Sequence, residues 1–316
     1  MSNKTIANFS LFVIFTGLCP LFFSGCSFVS SEAGKRPAES SYGQPNVVGT
    51  IKSADITESS GLAASPCQNN VFWTHNDSGD DAFIFAINAS GDNLGTWKIP
   101  NAQNIDWEDI AANKDQSGKC FIYIGEIGDN KSKRHEHAVY RVPEPLILPE
   151  NADTTRQNPL LSADPDVIRF SYPDYDQDAE TLMVHPKTGE IYVITKRVSG
   201  PAAVYRLKPD FNNEQPQTAQ LIAAISVPAV PNGFLTGGDI SPDGRRVIIC
   251  DYTQAYEFVL RDNSQSFDEI WKQTPEPIDL GKRKIGESVC YSVDATSIFA
   301  TSEGNKSPVF EVKRRK

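Results

Sequence analysis

Carboxylates recur at one point of a repeating pattern in this sequence. An acid stands near the start of five short apolar runs: Glu58, Glu108 with Asp109, Glu180 with Asp178, Asp239 and Glu287. Further polar side chains come after the next apolar run in each case: Asn76, Asp77, Glu126, Asp129, Asn130, Lys196, Asp251 and Glu303. Carboxylates that are brought close together raise one another's pKa or recruit a cation.

These side chains favour a hard cation. Ca²⁺ takes about six to eight oxygen ligands, whereas Mg²⁺ tolerates less geometric slack. Zn²⁺ asks for His or Cys, and only His75 is near. We therefore expect a calcium site drawn from the following residues: Glu58, Asn76, Asp77, Glu108, Asp109, Glu126, Asp129, Asn130, Glu180, Asp239, Glu287 and Glu303. The alternative is turn chemistry, because Asp and Asn also bond the local backbone in β-turns.

The acids can meet only if the fold brings the starts of the runs together. From Val47 onward the chain is a series of short β-like runs separated by turn residues. The runs of the first unit are 59–64, 71–76, 82–88 and 95–100, and later units begin near 108, 179, 237 and 287. A four-run unit that repeats is typical of a β-propeller, whose innermost strands all run the same way along a central channel. Their first residues would therefore form an acidic ring at one mouth.

The pattern predicts an all-β propeller with five four-stranded blades. The fifth unit lacks one strand, and VVGTIK (47–52) precedes the first unit as its replacement. A six-bladed ring is the alternative, because 131–166 and 209–236 are long enough to contain further strands. A β-sandwich would not explain the repeat.

The mouth suggests two functional hypotheses. The first is a metal-assisted hydrolase of phosphate esters, carboxylic esters or lactones, with Glu108, His75 and Lys196 as candidate catalytic residues. Lys196 has a second interpretation as the ion-pair partner of Glu180 or Asp178. The second hypothesis is a non-catalytic binding propeller that holds a structural metal, because fold does not decide function. Ser59, Ser60 and Ser288 follow acids but lack the GxSxG context of a nucleophile.

A series of motifs in this order resembles the β-propeller phytase-like esterase family of bacterial secreted proteins, over residues 56–313. The motifs are ESSGL (58–62), NDSGD (76–80), DWEDIA (106–111), YIGEIGDN (123–130), DAE (178–180), Lys196 after IYVIT, TGGDISPDGRRV (236–247), GES (286–288) and SEG (302–304). The resemblance implies a calcium-associated propeller that is distantly similar to phytases and lactonases. Glu126 stands where that family usually has Asp, and Cys250-Asp251 replaces its Arg-Thr, so the resemblance does not imply phosphatase activity.

The N-terminus predicts export. Residues 1–25 contain Lys4 and an apolar run from Phe9 to Phe23 that is too short to span a bilayer, as in a signal peptide. Cys26 follows Ser-Gly as in a bacterial lipobox, so we expect a lipidated (palmitoylated) Cys26, a flexible tether over 26–46 and a single propeller domain over 47–316. An ordinary secretory signal is the alternative. Ser27 favours the outer membrane, if the organism has one, as the site of a lipid-anchored envelope protein.

Composition narrows the partners. The net charge of −10 repels phosphate backbones, which argues against nucleic acid, whereas a small molecule or glycan suits the mouth of a monomeric propeller. Export allows disulfides. Besides Cys19 and Cys26 the chain has Cys67, Cys120, Cys250 and Cys290, and their places in the propeller predict the pairs 67–120 and 250–290.

Overall fold

A computed structural model describes residues 40–315 as a five-bladed β-propeller. The strand β1 (Asn46–Thr50) comes first in the chain. Blade 1 contains β2 (Gly61–Ala64), β3 (Phe72–His75), β4 (Phe83–Ile87) and β5 (Asn93–Lys98). Blade 2 contains β6 (Trp107–Lys114), β7 (Cys120–Glu126), β8 (His137–Pro143) and, after the two-residue β9 (Leu160–Leu161), β10 (Asp166–Ser171).

The remaining blades follow the same order from the channel outward. Blade 3 contains β11 (Ala179–Val184), β12 (Ile191–Thr195), β13 (Ala202–Leu207) and, after β14 (Gln217–Thr218), β15 (Gln220–Ile225). Blade 4 contains β16 (Gly237–Ile240), β17 (Arg246–Cys250), β18 (Gln254–Val259) and β19 (Glu276–Asp279). Blade 5 contains β20 (Val289–Tyr291), β21 (Ser297–Ala300), β22 (Pro308–Lys313) and β1. The innermost strands β2, β6, β11, β16 and β20 pack in sequence around the channel, and β20 meets β2.

The second strand of each blade is buried along its length, because both of its faces lie between blades. In β12, Ile191 and Val193 pack toward blade 2, while Tyr192 and Ile194 pack toward blade 4. Side chains alternate between the faces of a strand, so a strand between two cores needs apolar residues at every position. Five such cores, one at each junction of blades, hold the ring together.

The closing strand is confirmed. β1 pairs antiparallel with β22, with Val47 opposite Phe310 and Thr50 opposite Pro308. The domain begins before residue 47, however, because Tyr42 is 2% exposed and its hydroxyl donates to Glu257 at 2.6 Å. The sequence assigns Tyr42 to the tether, because the residues around it are rich in Ser and Pro.

The six-bladed alternative is wrong, because the long connections cover blades that already exist. Residues after β8 form a 3-10 helix (Pro149–Asp153) and then β9, which adds to blade 1 parallel to β5. β14 adds to blade 2 parallel to β10 in the same way. A second 3-10 helix (Phe267–Lys272) precedes β19, and no helix among residues 40–315 is long and apolar enough to cross a membrane. The predicted signal peptide, Cys26 and the first part of the tether lie outside the described residues.

One of the two expected disulfides is present. Cys67 and Cys120 are joined across blades 1 and 2, with their Cα atoms 6.2 Å apart. The expected pair of Cys250 and Cys290 is wrong, because both are buried free thiols. Cys250 faces the core between blades 4 and 5, whereas Cys290 faces the core between blades 5 and 1, so the alternation along β20 turns its thiol away.

Candidate metal centre at the acidic mouth

Two groups of three carboxylates lie at the mouth where the innermost strands begin, which we name the acidic mouth. The first group is Asp77, Asp106 and Glu108, and the second is Glu108, Asp178 and Glu180. Within each group the carboxylate oxygens lie within 4.8 Å of one another. Glu108 belongs to both groups, so the five side chains form one continuous set contributed by blades 1 to 3.

The same local motif builds both groups. Blade 2 has Asp106 and Glu108 around Trp107, and blade 3 has Asp178 and Glu180 around Ala179, so each offers a D-x-E triplet at the start of its innermost strand. The pairing register shifts by one residue at Glu108 in β6 and at Glu180 in β11. A bulge of this kind re-aims a side chain, and here it separates each glutamate from the ladder that would otherwise set its direction.

Backbone contacts fix the loops that carry the first group. Asn104 donates its amide N–H to the carbonyl of Asp77 at 3.0 Å, which ties the blade 1 loop to the loop before β6. Gly128 passes so close that a Cβ there would lie 2.0 Å from Glu108 Oε1 and 2.7 Å from Asp106 Cγ. Only glycine fits at position 128 while these two carboxylates keep their places.

The electrostatics of the set favour a cation. Burial, with Glu180, Asp77 and Asp106 nearby, raises the pKa of Glu108 well above its usual value. Burial also raises the pKa of Glu180 to about 7, although its ion pair with Lys196 acts in the opposite direction. Burial alone would lower the pKa of Lys196, but the attraction of Glu180 outweighs it and the net pKa rises. Lys196 thus remains an ammonium, and the ion-pair interpretation of this residue is confirmed.

A separate acid pair lies on the blade 5 side of the mouth. Burial, a hydrogen bond with Glu303 and the nearby charge of Glu180 raise the pKa of Glu287 to about 10. Glu58 pairs with Glu303 through the backbone, and burial together with Glu303 and Asp80 raises its pKa. These three predicted ligands lie at the acidic mouth but outside the two groups of three carboxylates.

Two predicted ligands are instead buried in the channel, where they bond backbone. Asp109 Oδ2 accepts N–H groups of Leu182 at 3.0 Å and Gly238 at 3.3 Å, so it links β6 to blades 3 and 4. Asp239 accepts from Tyr291 N at 2.9 Å and lines the opposite mouth. The prediction for Asp239 is wrong because β16 begins at Gly237, so this acid lies two residues inside the channel.

Four further predicted ligands lie outside the two groups of three carboxylates, and three of them make hydrogen bonds elsewhere. Asn76 accepts from Thr57 and Glu58 backbone and donates to Asp55 and Asp80, which uses both ends of its amide. Glu126 accepts from Ile105 and Asp106 backbone and pairs with Arg134 at 2.6 Å. Asp129 accepts from Lys133 and Arg134 backbone, and Asn130 is exposed. Turn chemistry explains Asn76 and Asp129, while Glu126 positions the loop of Asp106.

His75 and the mouth serines do not form a catalytic set. His75 is fully buried with its ring edge-on to Trp107, and burial lowers its pKa to about 4, so it is a poor base at this mouth. Ser59 bonds Thr74 and Thr301, Ser60 bonds the Glu108 carbonyl and Glu287, and Ser288 bonds Thr301. Any nucleophile at the acidic mouth would therefore be water.

The calcium site predicted from the sequence did not include Asp106 or Asp178, which belong to the two groups of three carboxylates. Residues two apart on a strand point to the same face, and D-x-E occurs at the start of both β6 and β11. The triplets alone do not predict the set, because alternation along a regular strand does not reveal the bulges at Glu108 and Glu180. Phe234 and Tyr252, which also lie beside Lys196, were missed because aromatic residues in loops give no such pattern.

The chain matches none of the protein-family models that were scanned, and no curated protein matches it.

Proposed function

We propose that this propeller binds Ca²⁺ at the acidic mouth and acts there as a metal-assisted hydrolase of ester substrates. The observation that carries the proposal is the presence of two clusters of three carboxylates, both of which include Glu108. All five side chains offer oxygen, which suits Ca²⁺, and none offers the nitrogen or sulfur that Zn²⁺ prefers. The resemblance of the sequence motifs to calcium-associated propellers supports the same ion.

The fit comes from the crowding of like charges, although Glu180 also pairs with Lys196 and Asp178 accepts the backbone N–H of Asp129 at 2.8 Å. Glu108 and Glu180 are buried beside other acids, and like charges at that distance are stabilised by a bound cation or by protons. Asp77, Asp106, Glu108, Asp178 and Glu180 would hold the ion. When bound, Ca²⁺ would polarise an ester or phosphoryl oxygen and lower the pKa of a coordinated water.

The chain's own residues would do the rest. Lys196 presents an ammonium next to Glu180 and can hold an anionic oxygen that develops during hydrolysis. Asp77 is half-buried, and burial raises its pKa, so it can accept a proton from water at the open side of the set. Because the mouth serines are bonded to threonines, to Glu287 and to the Glu108 carbonyl, water is the attacking group.

Calcium titration of the purified full-length chain tests the cation site. We expect saturable binding by calorimetry and a stabilisation of about 2.7 kcal/mol when free Ca²⁺ is 100-fold above its Kd. Glu108→Gln should abolish binding, because both groups use this residue. Glu269→Gln, in the 3-10 helix before β19, is the matched control and should bind normally. Absence of divalent-cation binding would overturn the proposal.

Hydrolysis is tested separately on phosphate esters, carboxylic esters and lactones, with Ca²⁺ and with chelator. We expect calcium-dependent turnover that is lost in Lys196→Met with calcium binding retained. The second candidate function is a binding propeller with a structural metal, and the internally bonded serines and the buried His75 favour it. Calcium binding without turnover in any class would select that second function.

We further propose that residues 1–25 direct export and that Cys26 carries the lipid that anchors the domain to the bacterial envelope. The sequence Phe23-Ser24-Gly25-Cys26 after an apolar run supports this. Labelling with a palmitate analogue should mark the wild-type chain and not Cys26→Ser. Equal labelling of both would contradict lipidation at Cys26.

A further inference from the structure

Blade 4 differs from its neighbours at the acidic mouth. Blades 2, 3 and 5 place Glu108, Glu180 and Glu287 near the start of their innermost strands, whereas β16 begins with Gly237. A Cβ at Gly237 would lie 2.0 Å from the carbonyl oxygen of Glu287, so the strands approach too closely for any side chain there. The start of β16 therefore contributes no carboxylate to the acidic ring on the blade 4 side.

An apolar cavity lies on this side of the mouth. Its volume is about 280 Å³, and its apolar lining comes from Ala229, Val230, Pro231, Phe234 and Tyr252. We name these five residues the apolar shelf. Phe234 meets Tyr252 edge to face, with ring centroids 5.0 Å apart, and the two rings form its floor.

Polar contacts hold the shelf in shape, and two of the residues that make them, Asp251 and Thr253, also line the cavity. Asp251 accepts N–H groups of Thr253 at 2.7 Å and Gln254 at 2.9 Å, which fixes the turn that carries Tyr252. Arg197 N donates to the Gly233 carbonyl at 2.8 Å, which ties the loop after Lys196 to the loop that carries Phe234. A Cβ at Gly233 would lie 2.4 Å from the Gly200 carbonyl oxygen, so glycine is needed for this approach.

The shelf and the carboxylate set share one residue. Lys196 Nζ pairs with Glu180 on one side and lies 5.3 Å from the centroid of the Phe234 ring on the other. Burial raises the pKa of Tyr252 to about 12, and Glu287, Glu180 and Glu303 act in the same direction against Lys196. The Tyr252 hydroxyl therefore stays protonated and can donate a hydrogen bond to a bound anion.

Val230 at the edge of the shelf is 99% exposed. A fully exposed apolar side chain beside an apolar cavity gains free energy when a ligand covers both. A molecule that lies across Lys196 would have an anionic or ester oxygen toward the carboxylate set and an apolar portion toward Phe234. A cavity of about 280 Å³ lies at the small end of ligand pockets, which suits one ring or a short acyl chain.

We propose that the apolar shelf binds the apolar portion of the substrate, which makes the substrate class a small ester with an aryl or short acyl group. This inference rests on the proposed function, since it assigns the reacting oxygen to the acidic mouth. The apolar shelf disfavours highly charged polyphosphates as substrates, because they would place charge against Phe234 and Val230.

A series of alkylphosphonates from methyl to hexyl tests the inference, with binding to the full-length chain measured by calorimetry in saturating Ca²⁺ and in chelator. The slope of binding free energy against chain length measures the contribution of the apolar shelf. The difference in affinity between calcium and chelator measures the contribution of the cation site. We expect about fourfold tighter binding per added methylene until the shelf is full. A calcium effect without a slope overturns this inference alone, whereas a slope without a calcium effect overturns the proposed function and leaves the shelf in place.

Two variants locate the effect. Val230→Ser changes a fully exposed residue and should reduce the slope with calcium affinity unchanged, and Phe234→Ala should reduce it further. Val259→Ser is the matched control, because Val259 is 46% exposed at the end of β18 and does not line the shelf. A slope that is equal in all three variants would contradict the assignment.

Discussion

The acidic mouth and the channel below it both contain buried carboxylates, but they use them in opposite ways. Below the mouth, Asp109 and Asp239 each accept backbone N–H groups from neighbouring blades, and the disulfide of Cys67 and Cys120 joins blades 1 and 2. At the mouth, Glu108 and Glu180 face other acids. We name the first region the lower channel. The partner of a buried acid, rather than its burial, therefore distinguishes a structural brace from a candidate metal ligand.

The largest effect is expected from the disulfide. It joins two residues that are 53 positions apart in the sequence. In the chain-entropy model, loss of such a disulfide destabilises a domain by about 4 kcal/mol. Cys67→Ser with Cys120→Ser should lower the free energy of unfolding by that amount, as measured by denaturant titration, and leave calcium affinity unchanged. A parallel loss of calcium affinity would break the distinction between the two regions.

Asp109→Ala should have the next largest effect. It removes the acceptor of two buried N–H groups on other blades, and unpaired buried donors cost about 1–3 kcal/mol each. We expect a loss of about 3 kcal/mol and a melting temperature that falls by roughly 6–12 °C. Asp109→Asn keeps an oxygen acceptor and should lose less. If both variants melt like the wild type, Asp109 is no brace.

The pH dependence of stability separates the regions further. The folded chain holds Glu180 and Asp239 at pKa values of about 7, above their usual values of 4.5 and 3.8, so their protonated forms stabilise the fold at low pH. In chelator, the melting temperature should therefore fall as pH rises from about 5 to 8. Calcium should remove the pH dependence that comes from Glu180 and leave the pH dependence that comes from Asp239. Glu180→Gln provides the comparison, and equal pH profiles with and without calcium would contradict the model.

The smallest effect is expected from Glu287→Gln. Because Glu287 keeps its proton up to a pKa of about 10, an amide is a close replacement that can still donate to Glu303. The free energy of unfolding should change by less than about 0.5 kcal/mol, and calcium affinity should stay within twofold. A large loss of calcium affinity would show that Glu287 belongs to the carboxylate set after all.

The sequence predicted the architecture because each blade repeats the same physical requirement. The second strands, such as β12, must be apolar on both faces, and that requirement leaves a visible run in every unit. β1 was recognisable because the fifth unit lacked a strand. Tyr42 was not, since a single buried aromatic after a polar stretch carries no periodicity.

The site was predicted only in part, because sequence gives position along a strand but not the partner of a side chain. Glu108, Glu180 and Asp77 were identified and do meet. Glu126 and Asn76 have the same chemistry and similar places in their units, yet their hydrogen bonds go to loops. The D-x-E triplets that recover Asp106 and Asp178 gain meaning only once the bulges at Glu108 and Glu180 are known.

The pairing of β1 with β22 has a consequence for the kinetics of folding. The two strands are joined by almost the whole chain, so β1 can complete blade 5 only after a very long loop closes, and contacts of high sequence separation form slowly. Until then, the edges of β1 and β22 are both unpaired. In concentrated refolding mixtures, β1 of one molecule therefore competes for β22 of another, and strand-exchanged dimers are the expected by-product.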